Sequence, residues 1–319
     1  MIKFIVPIRI VCAGILFLTL LTGCETIIDP KLAEAEDVLV VDAWLDTEVK
    51  EQTIRVTLSQ PYFDNTEPRG ISNAKVTVTN ETQGKVYEFL ETWPDAKRLT
   101  IPGTYFWRPS GPNESIGVVG DKFKLVVETE TDRYEARAAI GRVPVIDSLT
   151  FLFEEELGFL PDRYTAEFWS RDPSGRGDTY WIKAWKNDTL LLRPSEINVA
   201  FDAGFSEGGN LDGVTFITPI RQAINPFNTD ENGNFLSPYL PGDTVRVEIH
   251  SISKEAFTFL NEVVIQTDRS GGFAELFAAP MANVGTNIVN SNKNGRPALG
   301  FFNVAAISRY GKRLREDNK

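Results

Sequence analysis

Histidine and cysteine are scarce in this sequence, and their scarcity restricts the chemistry that the chain can carry out. His250 is the only histidine among the 319 residues, and the two cysteines are Cys12 and Cys24. Any Ser-His-Asp or Cys-His mechanism would have to centre on His250. A zinc, haem or iron–sulfur centre needs more histidine or cysteine ligands than this chain supplies. We therefore expect no cofactor of these kinds, and we do not expect an enzyme.

Positive charge is also in short supply. The chain has 33 Lys and Arg residues against 44 Asp and Glu residues, which gives a net charge of −11 at pH 7. A surface that binds phosphate backbones needs the opposite sign. The sequence therefore argues against nucleic acid as a partner.

A long apolar run lies at the N-terminus and is typical of an export signal. Lys3 and Arg9 precede the segment 10–21, which is too short to span a bilayer comfortably. The run ends in Leu-Thr-Gly-Cys, which resembles the lipobox, where a signal peptidase cuts before a cysteine that carries diacylglycerol. We predict a signal peptide over 1–23 and lipidation of Cys24. The alternative is an ordinary secretory signal with a chance cysteine.

The lipid would also determine the compartment. An N-terminus that carries more than one acyl chain holds a protein firmly at a membrane. The acidic segment 24–37, which contains Pro30, suits a solvated tether between the lipid and the folded body. We predict a protein anchored to the cell outer membrane, with the periplasmic and the surface-exposed face both left open.

Short runs rich in β-branched residues make up the segment 38–143. The predicted strands are 38–45, 53–58, 74–79, 86–89, 120–128 and 133–136, the last four forming two hairpins. Half a dozen strands with no helical period predict a β-sandwich. The string NAKVTVTNETQGKVYEF followed by IPGTYFW resembles transthyretin-like or carboxypeptidase-regulatory modules. We expect an immunoglobulin- or transthyretin-like sandwich, and such a likeness of fold carries no activity.

A second β-rich domain is predicted over 144–312. Pro144 cannot donate to a strand ladder, and its apolar neighbours suggest a linker packed against both domains. The predicted strands are 163–169, 179–186, 189–192, 244–251 and 299–308. One amphipathic helix is predicted at 254–267, with Ser253 as its N-cap and its apolar stripe packed on a sheet. The alternative is that the apolar stripe is exposed and binds a partner. A charged tail is predicted over 313–319.

Trp181 and Trp185 form a candidate ligand platform. They lie on the same face of a predicted strand, and two indoles four residues apart can stack sugars or aromatic groups. The opposite face, with Tyr180, Ile182 and Ala184, is just as apolar. One face must point to the core, so the platform and the core interpretations of the tryptophans both stay open.

A calcium loop is the strongest metal candidate in the sequence. Asn228, Asp230 and Asn232 precede Gly233 with the spacing of the first half of an EF-hand loop. The position that requires a bidentate glutamate is occupied by Tyr239, and no flanking helices are evident. The alternative is a flexible loop, and we expect no bound metal.

Carboxylate chemistry is the remaining catalytic possibility. Two Asp or Glu side chains held on facing positions can hydrolyse a glycosidic bond. The densest acidic run is 154–156, but consecutive strand residues point to different sides and form a solvated edge. His250 is predicted to be solvated. It follows Arg246 and Glu248 in phase on a predicted strand, on the face that we expect to point to solvent.

Binding sites are expected on the long polar connections. The segments 201–214, 225–241 and 283–297 are rich in Gly, Asn and Asp. Loops of this length without structure of their own are usually functional or mobile. A ligand or partner would therefore contact these segments first.

The C-terminal part carries a family resemblance. The strings PMANVGTNI at 280–288 and ALGFFNV at 298–304, with LVVDAWLD in the first strand and RVPVIDSL at the junction, resemble Bacteroidota lipoproteins of the domain of unknown function 4249 family. The likeness spans nearly the whole mature chain and contains no catalytic signature. It implies an accessory lipoprotein that partners a TonB-dependent outer-membrane barrel in substrate capture. The alternatives are a structural or assembly factor of the outer membrane and a carboxylate-dependent glycan hydrolase.

Overall fold

The computed structural model describes residues 36–61, 64, 66–92, 101–158, 160–269, 278 and 280–316. The predicted signal peptide, the lipidation site Cys24 and nearly all of the tether lie outside these residues, so those predictions stand as made. Residues Asp37–Lys319 form one compact unit. No helix in the described part of the chain is long and apolar enough to cross a membrane.

The chain folds mainly into β-strands, as the sequence pattern predicts. The strands are β1 (Leu39–Asp46), β2 (Gln52–Leu58), β3 (Lys75–Asn80), β4 (Lys85–Phe89), β5 (Thr104–Trp107), β6 (Lys122–Glu128), β7 (Arg133–Ala139), β8 (Ile146–Glu154), β9 (Arg163–Ser170), β10 (Thr179–Lys186), β11 (Thr189–Leu190), β12 (Asn198–Phe201), β13 (Thr244–Ile252), β14 (Val289–Asn290), β15 (Ala298–Ala305) and β16 (Ile307–Arg313). The α-helices of the described residues are α1 (Thr218–Gln222) and α2 (Lys254–Thr267).

Two sheets form a β-sandwich in the N-terminal half. One sheet has the strand order β15-β1-β2-β5, and the other has the order β14-β7-β6-β3-β4. In β1 the residues Val41, Ala43 and Leu45 are buried in the core between the sheets, whereas Asp42 is exposed. This alternation is the strand period that the sequence shows, so the predicted sandwich is confirmed.

Asn80 organises the first predicted hairpin. Its Oδ1 accepts hydrogen bonds from the backbone N–H groups of Thr82 and Gln83 at 3.1 and 3.0 Å, and Gly84 ends the turn at a φ of +69°. The Nδ2 of the same side chain donates to Asp121 Oδ2 at 2.8 Å. A buried asparagine that is satisfied on both sides therefore fixes the turn between β3 and β4.

A second hydrophobic core lies beyond Val143. It is shared by the sheet β11-β10-β13-β16, with β12 also paired to β10, and by the hairpin β8-β9. Tyr180, Ile182 and Ala184 of β10 are buried in this core, so the core face of β10 is the one opposite the tryptophans. Val143 packs against both cores, which is the position expected of a residue at the junction.

Helix α2 begins and ends where the sequence pattern places it. Ser253 Oγ accepts a hydrogen bond from the backbone N–H of Ala256 at 3.1 Å, which confirms the N-cap. Ala256 and Leu260 are buried, and the helix contacts β10, β12 and β15. The apolar stripe therefore packs inside the protein. The small core beneath it also contains Val199, Ile252 and Phe301.

The predicted single strand over 299–308 is wrong. β15 ends at Ala305, β16 begins at Ile307, and the two belong to different sheets. β15 pairs in parallel with β1, whereas β16 pairs with β13. Between them, the backbone N–H of Ala306 donates to Ser251 Oγ at 2.8 Å. A segment that we assigned to the second domain thus completes a sheet of the first sandwich.

The end of the chain also differs from the predicted charged tail. β16 continues to Arg313, and Leu314 is fully buried in the second core. A tail over 313–319 would leave Leu314 in solvent and would end β16 before Arg313. Any charged tail therefore starts after Leu314.

Candidate functional site

A pocket of about 350 Å³ opens on the outer face of the β15-β1-β2-β5 sheet, beside helix α2. Its lining consists of Val40, Asp42, Trp44, Arg55, Thr57, Pro68, Phe259, Gly300 and Phe301. We call it the aromatic pocket. Small-molecule sites have volumes of about 300–1,000 Å³ and combine an apolar lining with a few polar groups. The aromatic pocket has both properties.

Strand pairing brings the polar groups of the aromatic pocket together. Because Val41 and Ala43 of β1 point into the core, Asp42 and Trp44 point to the outer face. Asp42 lies directly opposite Arg55 in the antiparallel pair of β1 and β2. The local alternation of β1 and its register with β2 therefore place a carboxylate, a guanidinium and an indole at one opening.

Three aromatic side chains form the apolar wall. The rings of Trp44 and Phe301 are stacked at an interplanar angle of 20°, with their centroids 5.7 Å apart. The ring of Phe259 lies 6.1 Å from that of Trp44 and 4.9 Å from that of Phe301. Mutual packing restrains all three rings, so the wall exists before any ligand arrives.

The connection between α2 and β15 supports this wall from behind. Asn287 Nδ2 donates to the carbonyl oxygen of Phe302 at 2.8 Å, and Asn287 Oδ1 accepts from the N–H of Phe302 at 2.9 Å. The side-chain amide thus takes the place of a neighbouring strand along β15. The N–H of Gly285 donates to Glu262 Oε2 of α2 at 2.6 Å. These bonds tie the helix that carries Phe259 to the strand that carries Phe301.

Asp42 and Arg55 face the opening without forming an ion pair with each other. Arg55 Nη2 lies 3.5 Å from Glu67 Oε2, and the Glu67 side chain is 93% exposed. Such an exposed pair contributes little. Desolvation raises the pKa of Asp42, and the charges of Arg55 and Lys183 together with a hydrogen bond from Trp44 oppose this rise without cancelling it. Both charged groups can therefore contact a ligand.

A charged cluster adjoins the aromatic pocket through Trp44. The ring of Trp181 contacts Trp44 edge-to-face with centroids 5.1 Å apart, and Lys183 Nζ lies 3.8 Å from the centroid of the Trp181 ring. Desolvation lowers the pKa of Lys183 to about 8, although the charges of Glu248 and Asp46 raise it. A lysine with a strongly lowered pKa beside buried acids is a frequent mark of functional sites.

His250 is buried, so the prediction of a solvated histidine is wrong. The residue is 7% exposed, and its Nε2 lies 2.9 Å from Glu248 Oε2. Glu248 Oε1 lies 3.2 Å from Arg309 Nη2, which also contacts Glu48. Desolvation lowers the pKa of His250, the hydrogen bond to Glu248 opposes this, and the charge of Lys183 lowers it further. His250 and Glu248 do share a strand face, but both side chains are buried.

A protein-family model matches most of the chain. The model described as Domain of unknown function (DUF4249) matches residues 25–310. This chain belongs to the DUF4249 family. The resemblance of the sequence motifs to the DUF4249 family is thereby confirmed, and the lipoprotein character stays a prediction. No curated protein matches the chain.

Trp181 and Trp185 of the DUF4249 chain lie on the face of β10 that points away from the second core, and other side chains cover both rings. Trp181 packs between Trp44 and the ammonium of Lys183. The guanidinium of Arg246 lies 4.2 Å from the centroid of the Trp185 ring. Their use as a ligand platform stays a prediction. Through its edge contact, Trp181 supports Trp44, which lines the aromatic pocket.

The candidate calcium loop of the DUF4249 chain folds as a turn held by Asp230. Its Oδ1 accepts from the N–H groups of Asn232 and Asn234, both at 2.8 Å, and its Oδ2 accepts from Asn234 Nδ2 at 3.0 Å. The hydrogen bonds from Asn234 are the main reason that the pKa of Asp230 is lowered. Asn228 Oδ1 accepts from Arg193 Nη2 at 2.7 Å. No three His, Cys, Asp or Glu side chains of the described residues are grouped as a metal site.

Buried aspartates elsewhere in the chain serve the backbone. Asp172 accepts from Tyr180 Oη at 2.7 Å and from the N–H of Gly213 at 3.0 Å. Asp202 Oδ1 accepts from two N–H groups of the loop before β10. These carboxylates order loops. The aromatic pocket itself contains one carboxylate, Asp42, so its lining lacks the acidic pair that glycoside hydrolysis needs.

A G-x-S-x-G string lies at 204–208. Its Ser206 has an extended backbone, with a φ of −152° and a ψ of 156°, and precedes a short 3₁₀ turn. A nucleophile elbow instead holds its serine on a strained turn between a strand and a helix. The imidazole of His250 is hydrogen-bonded to Glu248 rather than to a serine. The string therefore lacks the geometry of a nucleophile elbow.

The aromatic pocket itself was not predicted. The available signal was Trp44, which occupies the polar phase of β1 between Asp42 and Asp46. Phe259 and Phe301 looked like ordinary core residues of a helix and a strand. Of the long loops expected to bind a ligand, the segment 283–297 supports the pocket through Asn287 but does not line it.

Proposed function

We propose that this protein is a lipid-anchored binding lipoprotein of the outer membrane that captures a small ligand and partners a TonB-dependent transporter. The lipobox-like sequence before Cys24 supports the anchor. Membership of the DUF4249 family agrees with the resemblance that suggested the transporter. The partnership with a barrel rests on that analogy.

The observation that carries the binding function is the aromatic pocket. A preformed wall of Trp44, Phe259 and Phe301 offers apolar contact area, and Asp42 and Arg55 offer directional polar contacts at the opening. Apolar area supplies affinity, and a few placed polar groups supply orientation. This arrangement favours holding a molecule.

The lining of the aromatic pocket also favours binding over catalysis. It contains no histidine, cysteine or serine, its one hydroxyl belongs to the buried Thr57 of β2, and its one carboxylate and one guanidinium have opposite charges. Nucleophilic catalysis needs a nucleophile with an activating base, and general acid–base catalysis needs a group positioned to move a proton. We therefore propose a protein without enzymatic activity at this site.

An affinity pull-down tests the proposed function. The tagged, lipidated protein would be solubilised from its native membrane, purified, and its partners identified by mass spectrometry. We expect a TonB-dependent barrel to copurify with the wild type and not with a Cys24→Ala variant, which lacks the thiol to be lipidated. An Asp42→Ala/Arg55→Ala variant serves as the matched control, because it alters the aromatic pocket and should still recover the barrel.

Other outcomes of the pull-down would contradict the proposal. Recovery of no barrel from wild-type membranes would remove the transporter partnership. Recovery of outer-membrane assembly machinery alone would favour the alternative of a structural or assembly factor. Equal recovery of the barrel with Cys24→Ala would show that the lipid anchor is not needed for the complex.

A further inference from the structure

The charges around the aromatic pocket restrict the kind of ligand that it accepts. Asp42 and Arg55 occupy directly opposed positions on β1 and β2, and they carry one negative and one positive charge. A ligand with a single net charge meets attraction from one group and repulsion from the other. The pair therefore selects against simple anions and simple cations.

The same two side chains are well suited to hydroxyl groups. A carboxylate accepts up to four hydrogen bonds, and a guanidinium donates up to five in a planar fork. Neighbouring hydroxyls on one ring can each donate to Asp42 and accept from Arg55. Hydrogen bonds to charged groups are stronger than those between neutral groups, which compensates the loss of water from the hydroxyls.

The aromatic wall adds the second feature that such a ligand requires. Trp44 and Phe259 are half-buried and line the opening, with the buried Phe301 behind them. A sugar ring has one face of C–H groups that packs on aromatic rings while its hydroxyls point outward. Gly300 adds no side chain to the lining of the aromatic pocket.

We propose that the aromatic pocket binds a neutral saccharide unit, stacked on Trp44 and Phe259 and hydrogen-bonded by Asp42 and Arg55. This inference rests on the proposed binding function and specifies its ligand class. The main competitor is a zwitterion such as an amino acid or a peptide end, whose ammonium and carboxylate would pair with the same two residues. Ionic strength separates the two classes, because salt screens ion pairs and leaves hydrogen bonds to a neutral ligand nearly unchanged.

Isothermal titration calorimetry on the mature lipidated protein tests the ligand class. The protein would be held in a detergent without a sugar headgroup. The probes would be neutral gluco-, xylo-, manno- and N-acetylglucosamine oligosaccharides, uronic acid oligosaccharides, free amino acids and dipeptides, each at millimolar concentration. We expect at least one neutral oligosaccharide to bind, with an affinity that changes less than twofold between low and high salt.

Point variants place the binding event in the pocket. We expect Asp42→Ala and Arg55→Ala each to weaken the affinity about tenfold, which is the effect of losing one good hydrogen bond. Both residues are exposed, so both variants should fold as the wild type does. Tyr310→Ala is the matched control, because this exposed aromatic side chain of β16 lies outside the lining of the aromatic pocket, and it should leave the affinity unchanged.

Each remaining outcome would overturn the ligand class. Binding of amino acids or dipeptides with a strong salt dependence would identify a zwitterion site. Binding of uronic acid oligosaccharides alone would identify an anion site. Lack of binding by every saccharide probe, or binding that Asp42→Ala and Arg55→Ala do not change, would also contradict the proposal. Since the transporter is tested by the pull-down, a failure there and a failure here are separate results.

Discussion

The ammonium of Lys183 lies on the face of the Trp181 indole, with Nζ 3.8 Å from the centre of the ring. No hydrogen bond or ion pair within 4.0 Å joins this ammonium to another described residue, although Glu248 and Asp46 attract it from further away. A cation–π contact replaces only part of the hydration that the ammonium loses. The charged form of Lys183 is therefore disfavoured in the folded protein.

Lys183→Met is expected to stabilise the protein at neutral pH. The pKa of Lys183 is about 8 in the folded protein and 10.5 in the unfolded chain. Below pH 8 the lysine is charged in both states, and the whole cost of burying that charge is subtracted from the stability. Between pH 8 and 10.5 the unfolded chain binds more protons than the folded one, and wild-type stability rises with pH. We expect a gain of about 1–3 kcal/mol at pH 7 that shrinks above pH 8.

Urea denaturation of Lys183→Met and wild type from pH 6 to about 10 measures this gain. Lys50→Met is the matched control. Lys50 is exposed. Desolvation lowers its pKa, but the hydrogen bond to Asp46 and the charges of Asp46 and Glu48 raise it by more, so the pKa is raised overall. It should therefore show no stabilisation. A Lys183→Met variant that is less stable than wild type at pH 7 would contradict the argument.

His250 should make the protein sensitive to mild acid. Desolvation lowers its pKa below 6.5, and protonation in the folded state would place two positive charges, on His250 and Lys183, near each other. A group with a lowered folded pKa binds more protons in the unfolded chain, so stability is lost as the pH falls below 6.5. We expect a His250→Gln variant to lose less stability than wild type between pH 7 and 5. If the Tm of the wild type and the Tm of His250→Gln fell in parallel from pH 7 to 5, His250 would not be the cause of the acid sensitivity.

Local sequence patterns were sufficient for the elements that depend on near neighbours. The helix at 254–267 was predicted with both ends, because Ser253 and the apolar spacing act within a few residues. The two N-terminal hairpins were predicted for the same reason. The core face of β10 stayed open from the sequence, since Tyr180 and Trp181 head two equally apolar faces, and the second core decides between them.

Long-range packing accounts for the predictions that failed. The segment 299–308 has strand propensity throughout, and only the parallel pairing with β1 and the antiparallel pairing with β13 divide it at Ala306. His250 is in phase with Glu248, as a strand requires, but both side chains are buried, and Glu248 contacts Arg309 of β16. The aromatic pocket joins residues from β1, β2, α2 and β15, and no local pattern reports such an assembly.

Gly300→Ala is expected to destabilise the protein severely. A Cβ at this position would lie 2.0 Å from the carbonyl oxygen of Val41, and the backbone φ is +89°. Steric overlap and left-handed strain add, and we expect a loss of about 3 kcal/mol or more. Gly84→Ala is the control, because Gly84 has a φ of +69° with no atom within 4 Å of the added Cβ, and it should cost about 1 kcal/mol. Equal losses in chemical denaturation would show that the approach of β1 and β15 is not close.

Calcium is expected to leave the stability unchanged. Both carboxylate oxygens of Asp230 already accept hydrogen bonds from the turn, and Arg193 places a positive charge beside Asn228. A bound cation would have to replace those bonds and overcome that charge. Thermal melts with millimolar calcium and with a chelator should coincide. A rise in Tm of several degrees with calcium, abolished by Asp230→Asn, would establish the loop as a metal site.

Asn287→Ala should weaken ligand binding as well as stability. The substitution leaves the buried N–H and carbonyl of Phe302 without the two hydrogen bonds from Asn287, at a cost of about 1–3 kcal/mol. Asn225 makes the same pair of bonds to Ala166 at 2.7 and 2.8 Å in the second core, so Asn225→Ala should lose stability to a similar degree. Of these two residues, Asn287 supports the wall of the aromatic pocket and Asn225 does not. Asn287→Ala should therefore lower the affinity for the saccharide in calorimetry, and Asn225→Ala should leave it unchanged. Equal loss of affinity in both variants would show that binding follows global stability, and that the connection before β15 does not shape the aromatic pocket.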